Sequence, residues 1–194
     1  MPQSRHRHPS YWIIKTTAGD TGKSYWDQFK ANGVVAVGWP SVRLDPSLFM
    51  SLPALTRAIA PFVAGSSKKE RQYSARILFA FTRVWQEGDI AIICDGYNTR
   101  GPRDVRLHGF AIVGPFHYRA SSTWWRFQRD ASIRCIDRDI PRRTFVSTLG
   151  LRTSRLTIHQ ISEGAFFAFS RQVSDLLPDS WKGAQLRTQV EFCE

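Results

Sequence analysis

The stretch Ser24-Tyr25-Trp26-Asp27-Gln28-Phe29-Lys30-Ala31-Asn32-Gly33-Val34-Val35-Ala36-Val37-Gly38-Trp39-Pro40 decides the fold. Its first half reads as a helix. Ser24 is an N-cap, Asp27 stands three residues on as in a capping box, and Tyr25 or Trp26 with Phe29 supplies one apolar side. Asn32-Gly33 stops the helix, because glycine enters the left-handed conformation without a Cβ penalty. Val34–Val37 is a short β-branched run, fit for a buried strand and closed by Gly38-Trp39-Pro40.

Outward from this stretch the pattern repeats in kind. Tyr11–Thr16 is an aromatic and β-branched strand, followed by a polar, glycine-bearing loop over 17–23. Residues 51–64 carry Leu52, Leu55, Ile59 and Phe62 at helical spacing, and 69–85 carry Tyr73, Ile77, Phe81 and Val84. Glu87-Gly88-Asp89 turns into an apolar strand at Ile90–Cys94, a Gly/Asn/Pro loop fills 95–104, and 105–113 is a further strand. Residues 123–136 fit strand or helix, with extended structure favoured at both ends. Helices are expected over 139–149, with Pro141 in the first turn, and over 163–177; a strand is expected over 156–161. Strands scattered among helices without βαβ alternation predict an α+β fold with a small, curved or barrel-like sheet. Residues 1–10 read as a basic disordered tail, 11–177 as one domain and 178–194 as a peripheral tail.

The chain has 194 residues, 42% of them hydrophobic and 13% aromatic, enough for one domain with a sizeable core. No apolar run approaches the roughly 20 residues that span a bilayer, and MPQSRHRHPS lacks the apolar centre of a signal peptide. Cys94, Cys135 and Cys193 are odd in number and widely spaced, against a disulfide framework or cysteine-rich zinc site. A soluble cytoplasmic protein is expected. The net charge is +11, and residues 106–155 hold ten basic residues against three acidic ones. Of the basic side chains 21 are arginine, the residue that pairs bidentately with phosphate and stacks on bases. That excess points to nucleic acid as the partner.

Catalytic signatures are missing. Thr21-Gly22-Lys23-Ser24 ends like a phosphate loop, but Thr17 stands where the first glycine is needed. There is no Asp-x-Lys or Glu-x-Lys, and His6, His8, His108, His117 and His159 form no H-E-x-x-H. His108 and His117 could meet across a strand turn, without an obvious carboxylate partner for a metal. Asp137 and Asp139 are surrounded by Arg134, Arg138, Arg142 and Arg143, which fits a salt-bridged surface. No catalytic residue, metal or cofactor is assigned.

Aromatic residues are the positive signal. Most belong to a core, yet several stand where strands end or loops begin: Trp26, Trp39, Tyr97 and Trp124. Aromatic planes beside arginines suit a flipped or single-stranded base, each stacked base contributing roughly 1–3 kcal/mol. Trp26-x-x-Phe29 followed by Gly33-Val34-Val35-Ala36-Val37-Gly38-Trp39 resembles the opening of EVE-type domains of the PUA-like superfamily. Tyr11-Trp12-Ile13-Ile14, Glu87-Gly88-Asp89-x-Ala91-Ile92 and His108-Gly109-Phe110-Ala111-x-Val113-Gly114 match that order, over about residues 11–170. Related domains are the YTH readers and the N-terminal domains of modification-dependent restriction GTPases.

The resemblance implies a pseudo-barrel of about five to six strands surrounded by helices, with a pocket for a modified base. It places Trp26 and Trp39 in that pocket and makes Asp89 a loop anchor. Trp12, Tyr97 and Trp124 join the pocket from loop placement, and Ser24 and Asn98 are candidates for the base edge. Arg100, Arg103, Arg119, Arg126 and Arg129 are candidates for phosphates. The resulting expectation is a non-catalytic module for a modified, methylated base in DNA, with a separately encoded nuclease as a possible effector. The rival readings are an RNA-binding protein of the same fold without modification specificity, and an enzyme of nucleic-acid metabolism using His108 or Asp95. Departures from the family are the long 95–104 loop and the lack of a Ser-Pro dipeptide after the first strand.

Overall fold

Two strands covered on both faces organise the molecule. A computed structural model describes residues 7–17, 23–63, 65–95, 104–122, 125–151 and 157–173. Strands β1 (Tyr11–Lys15) and β3 (Ile90–Cys94) are buried at every position. Trp12, Ile14, Ala91 and Ile93 face one apolar layer; Tyr11, Ile13, Ile90, Ile92 and Cys94 face another. Successive strand side chains point to opposite faces, so a strand buried at every position requires cover on both sides. The first layer is built by α1 (Trp26–Asn32), α2 (Leu52–Ile59) and α3 (Lys68–Phe79), the second by α4 (Arg142–Thr148) and α5 (Glu163–Gln172).

The remaining strands are β2 (Val34–Val37), β4 (Asp104–Tyr118), β5 (Phe127–Pro141) and β6 (Ile158–Ile161). They form one six-stranded sheet in the order β2-β5-β4-β3-β1-β6, curled as a half-barrel. The β1–β3 pair is parallel and every other pair is antiparallel. The fold is α+β, as expected. Gly33 caps α1 at φ 59°, and β2 and β3 occupy the residues read from their apolar runs.

Several boundaries differ from expectation. The 51–64 segment is α-helical only to Ile59 and tightens to a 3₁₀ turn over Ala60–Val63. The next helix becomes a π-helical turn at Ala80–Val84, and β4 runs five residues past Val113. The ambiguous 123–136 region is strand from Phe127 and continues to Pro141, pairing Asp104–Arg106 with Asp139–Pro141. Pro141 is therefore the residue before α4, and the helix begins at Arg142. Arg7 is held by Asp89, so the ordered chain begins before residue 11. Residues 174–194, with Cys193, lie outside the described residues. No helix among those described is long and apolar enough to cross a membrane.

Candidate functional site

Three strands break register at one level of the sheet. Between β3 and β4 the shift falls at Ile93/Cys94, and between β4 and β5 at Leu107/Gly109. His108 is the extra residue of β4; opposite it, Ile136 and Asp137 intervene between Cys135 and Arg138. Asp137 has φ 52°, an unusual conformation for a residue with a Cβ. A bulge re-aims side chains and is frequent beside binding sites. Gly109 makes the close approach possible. A Cβ there would lie 1.9 Å from the Arg134 carbonyl oxygen and 2.9 Å from its carbon.

The bulges gather His108 between two carboxylates. Its Nε2 lies 3.0 Å from Asp95 Oδ1 and its Nδ1 lies 3.1 Å from Asp137 Oδ1. Thr16 Oγ1 and Ser24 Oγ donate to the same Asp95 oxygen at 2.6 and 2.8 Å. Burial alone would push the Asp95 carboxyl up. Hydrogen bonds from His108, Thr16 and Ser24, with the charge of His108, hold it below the ordinary aspartate value instead. Asp95 Oδ2 and Asp137 Oδ2 have no partner among the described residues, and the two side chains are 28% and 35% exposed. A carboxylate has about four acceptor positions, so capacity for an incoming donor remains. Both imidazole nitrogens are engaged, which makes His108 a bridge rather than a free base. Thr16 and Asp95 follow the carboxyl ends of the parallel pair β1 and β3.

This arrangement corrects two sequence readings. His108 does have carboxylate partners, and Asp137 turns inward to it, leaving only Asp139 on the surface in a 3.4 Å pair with Arg106. Ser24 stands one residue ahead of the cap position of α1, which Tyr25 holds without a side-chain bond; the Ser24 Oγ accepts from Trp26 N at 3.4 Å and donates to Asp95. His117 pairs with Asp130 at 3.0 Å. Among the described residues no group of three or more His, Cys, Asp and Glu is arranged to hold a metal.

Of the aromatic candidates, Trp26 stands at the site but offers it no open face. It is 6% exposed, stacked on His108 at 4.8 Å and 18°, with the Lys30 ammonium 5.7 Å from its ring. Its role is to fix the imidazole. Trp12 is core: it packs 5.3 Å from Trp85 and its Nε1 donates to Asp89 Oδ2 at 2.9 Å. Asp89 also accepts from Arg7, Ser10 N and Gln86 N, so it anchors a loop. Trp39 is half-buried and donates to Ser74 Oγ at 3.0 Å. Trp125, adjacent to the expected Trp124, packs edge-on against Tyr25 and Phe29. Trp124, Tyr97, Asn98, Arg100 and Arg103 lie outside the described residues.

Two of the arginines expected at phosphates are structural. Arg129 is 4% exposed and donates to the carbonyls of Phe81 (2.7 Å), Trp85 (2.7 Å), Gly114 (2.9 Å) and Thr82 (3.5 Å). Three of those oxygens belong to the π-helical turn and the residue that ends it. Burial pulls Arg129 down to about 10, opposed by the charges of Asp89 and Glu87, so it remains a cation at neutral pH. Arg126 is buried too, tying Pro40 O to Ala120 O. Arg119 is exposed and remains available. Arg134 and Arg138, read from sequence as part of a salt-bridged surface, are exposed on β5 on either side of Asp137.

No protein-family model matches the chain, and no curated protein is significantly similar to it. Among solved structures, a structural-genomics target from Agrobacterium tumefaciens is similar over 84% of this chain and 92% of its own, at 14% identity and a TM-score of 0.43. A hypothetical protein from Leishmania major is similar over 87% of this chain and 96% of its own, at 12% identity and a TM-score of 0.46.

Proposed function

We propose that this chain is a non-catalytic nucleic-acid-binding module of PUA-like, EVE-type architecture, which accepts a modified, methylated DNA base at the Thr16–Ser24–Asp95–His108–Asp137 site. The observation that carries the reading is the pair of half-exposed carboxylates with one uncommitted oxygen each, braced by a buried imidazole at a bulge shared by three strands. Such oxygens accept from the amino group on a base edge, a contact that contributes about 1–3 kcal/mol of discrimination. A base methyl adds apolar area whose burial contributes of the order of 1 kcal/mol at about 25 cal/mol/Å². Extrusion from the stack costs a few kcal/mol, which the net charge of +11 helps to offset through phosphate contacts. Cleavage, if it follows recognition, belongs to a separately encoded nuclease.

The test is an electrophoretic shift panel of unmodified, methylated and hydroxymethylated duplexes and a structured RNA, with the wild-type protein and Asp137→Asn. The reading expects tightest binding to a modified duplex and a loss of roughly tenfold in affinity for that duplex in Asp137→Asn. Equal affinity for every duplex, unchanged by the substitution, refutes it. Selective binding of the RNA replaces it with the unmodified-RNA reading.

A further inference from the structure

Helix α3 begins Lys68-Lys69-Glu70-Arg71, with two cations in its first turn. The amino end of a helix is the positive end of its dipole, so two lysines in the first turn stand where cations are disfavoured. Glu70 does not neutralise them. Its Oε2 accepts from Ser67 N at 2.7 Å while Ser67 Oγ accepts from Glu70 N at 3.2 Å, a reciprocal capping box that turns the carboxylate toward the helix start. Lys68, Lys69, Gln72 and Arg76 are exposed, whereas Ser74, Ala75, Ile77 and Leu78 are buried. Lys69, Gln72 and Arg76 share the outward face through their three- and four-residue spacing. Among the described residues Lys68, Lys69 and Arg76 have no ion-pair partner. Local rules broken without a structural return mark functional sites.

Hydrogen bonds tie helix α3 to the strand that leads into Thr16 of the base site. Tyr73, on the same half of α3, accepts through its hydroxyl from Thr157 N at 3.1 Å, and Thr157 O accepts from Lys15 N at 3.0 Å. Lys15 precedes Thr16, which donates to Asp95. Exposed Lys23 stands beside Ser24 at the same end of the sheet. The β5 arginines fit a polyanion less well, because Asp130, Asp137 and Asp139 interleave with Arg134 and Arg138.

We infer that the outward face of α3, through Lys68, Lys69 and Arg76, holds the sugar–phosphate backbone of the nucleic acid whose base occupies the Asp95–His108–Asp137 site. The inference rests on the function proposed above and adds where the phosphates lie. It is tested by fluorescence anisotropy on a labelled modified duplex between 50 and 200 mM salt, comparing wild type with a Lys68→Ala/Lys69→Ala/Arg76→Ala variant. Each phosphate that the variant no longer neutralises takes about 0.9 off the slope of log affinity against log salt, so the slope should fall by about 2 to 3. Affinity at low salt should drop at least about tenfold, while the ratio between modified and unmodified duplexes stays unchanged. Melting temperature should hold, since the two first-turn lysines oppose the helix dipole while Arg76, in the last turn, favours it.

An unaltered slope with binding intact overturns the inference and leaves the base site standing. A melting temperature lowered along with binding also overturns it, since the residues then act through the fold. If the wild-type protein binds no oligonucleotide, the functional reading fails and this inference with it.

Discussion

Replacing Arg129 by methionine separates a structural guanidinium from a phosphate-binding one. The side chain donates three bonds shorter than 3 Å to buried backbone carbonyls, two of them at the π-helical turn. Hydrogen bonds to charged groups contribute about 1.5–3 kcal/mol each, and a buried acceptor left without a donor costs about 1–3 kcal/mol. Part of this is offset because the desolvation cost of the cation disappears as well. The methionine also keeps much of the apolar stem, so packing beside Phe81 and Phe116, each about 6 Å from the guanidinium, is largely retained.

A net loss of about 3–5 kcal/mol follows, in line with removing one member of a buried charged network. For a chain of this size each kcal/mol moves the melting temperature by about 2–4 °C, giving a drop of roughly 6–20 °C. Calorimetry or urea unfolding reads the change directly. Nucleic-acid affinity, measured at a temperature where both proteins are folded, should be unaltered. A variant melting within about 2 °C of wild type but losing affinity would refute the assignment and return Arg129 to the phosphates.

Gly109→Ala should destabilise by about 3 kcal/mol, because the new Cβ meets the β5 backbone at 1.9 Å and neither strand can move without disturbing the sheet; thermal melting checks this. Asp95 should make stability pH-dependent. Its folded-state value lies below the unfolded one near 3.9, so its contribution is complete above about pH 4 and is lost as pH falls through the lower value. Urea midpoints at pH 6 and pH 3 should therefore converge more closely in Asp95→Asn than in wild type. Trp39→Phe loses the bond to Ser74 and should cost about 1 kcal/mol by urea unfolding, with base preference retained, since neither ring edge belongs to the carboxylate site.

The sequence made β2 and β3 legible because each is an apolar run bounded by chain-reversing residues, a purely local signal. β5 was harder to read. Its outer positions, such as Ser132, Arg134 and Arg138, are exposed, and the bulge at Asp137 interrupts the alternation. The π-helical turn leaves no local mark, since it continues the spacing of the helix it follows, whereas the 3₁₀ turn was signalled by Pro61, which has no N–H for an α-helical bond. At the site, Ser24 was singled out on its fitness as a helix cap and as a base-edge candidate. Its bond to Asp95 spans 71 residues and depends on β1 pairing with β3. Charge pattern likewise flagged Arg126 and Arg129 without revealing that backbone carbonyls would claim them. His108 meets Asp137 only through two opposed irregularities in different strands, which no periodicity records.

The parallel neighbours β1 and β3 are separated by everything between Thr16 and Asp89, including three helices and the edge strand β2. Closing so large a segment carries an entropic cost that only the finished pairing repays, and contacts of this sequence separation slow folding. Thr16 and Asp95 come within bonding distance only when that closure is complete. The Asp95–His108–Asp137 cluster gains its Thr16 bond only through that long-range closure, so a partly folded intermediate would carry the positive charge of the native protein without the assembled cluster.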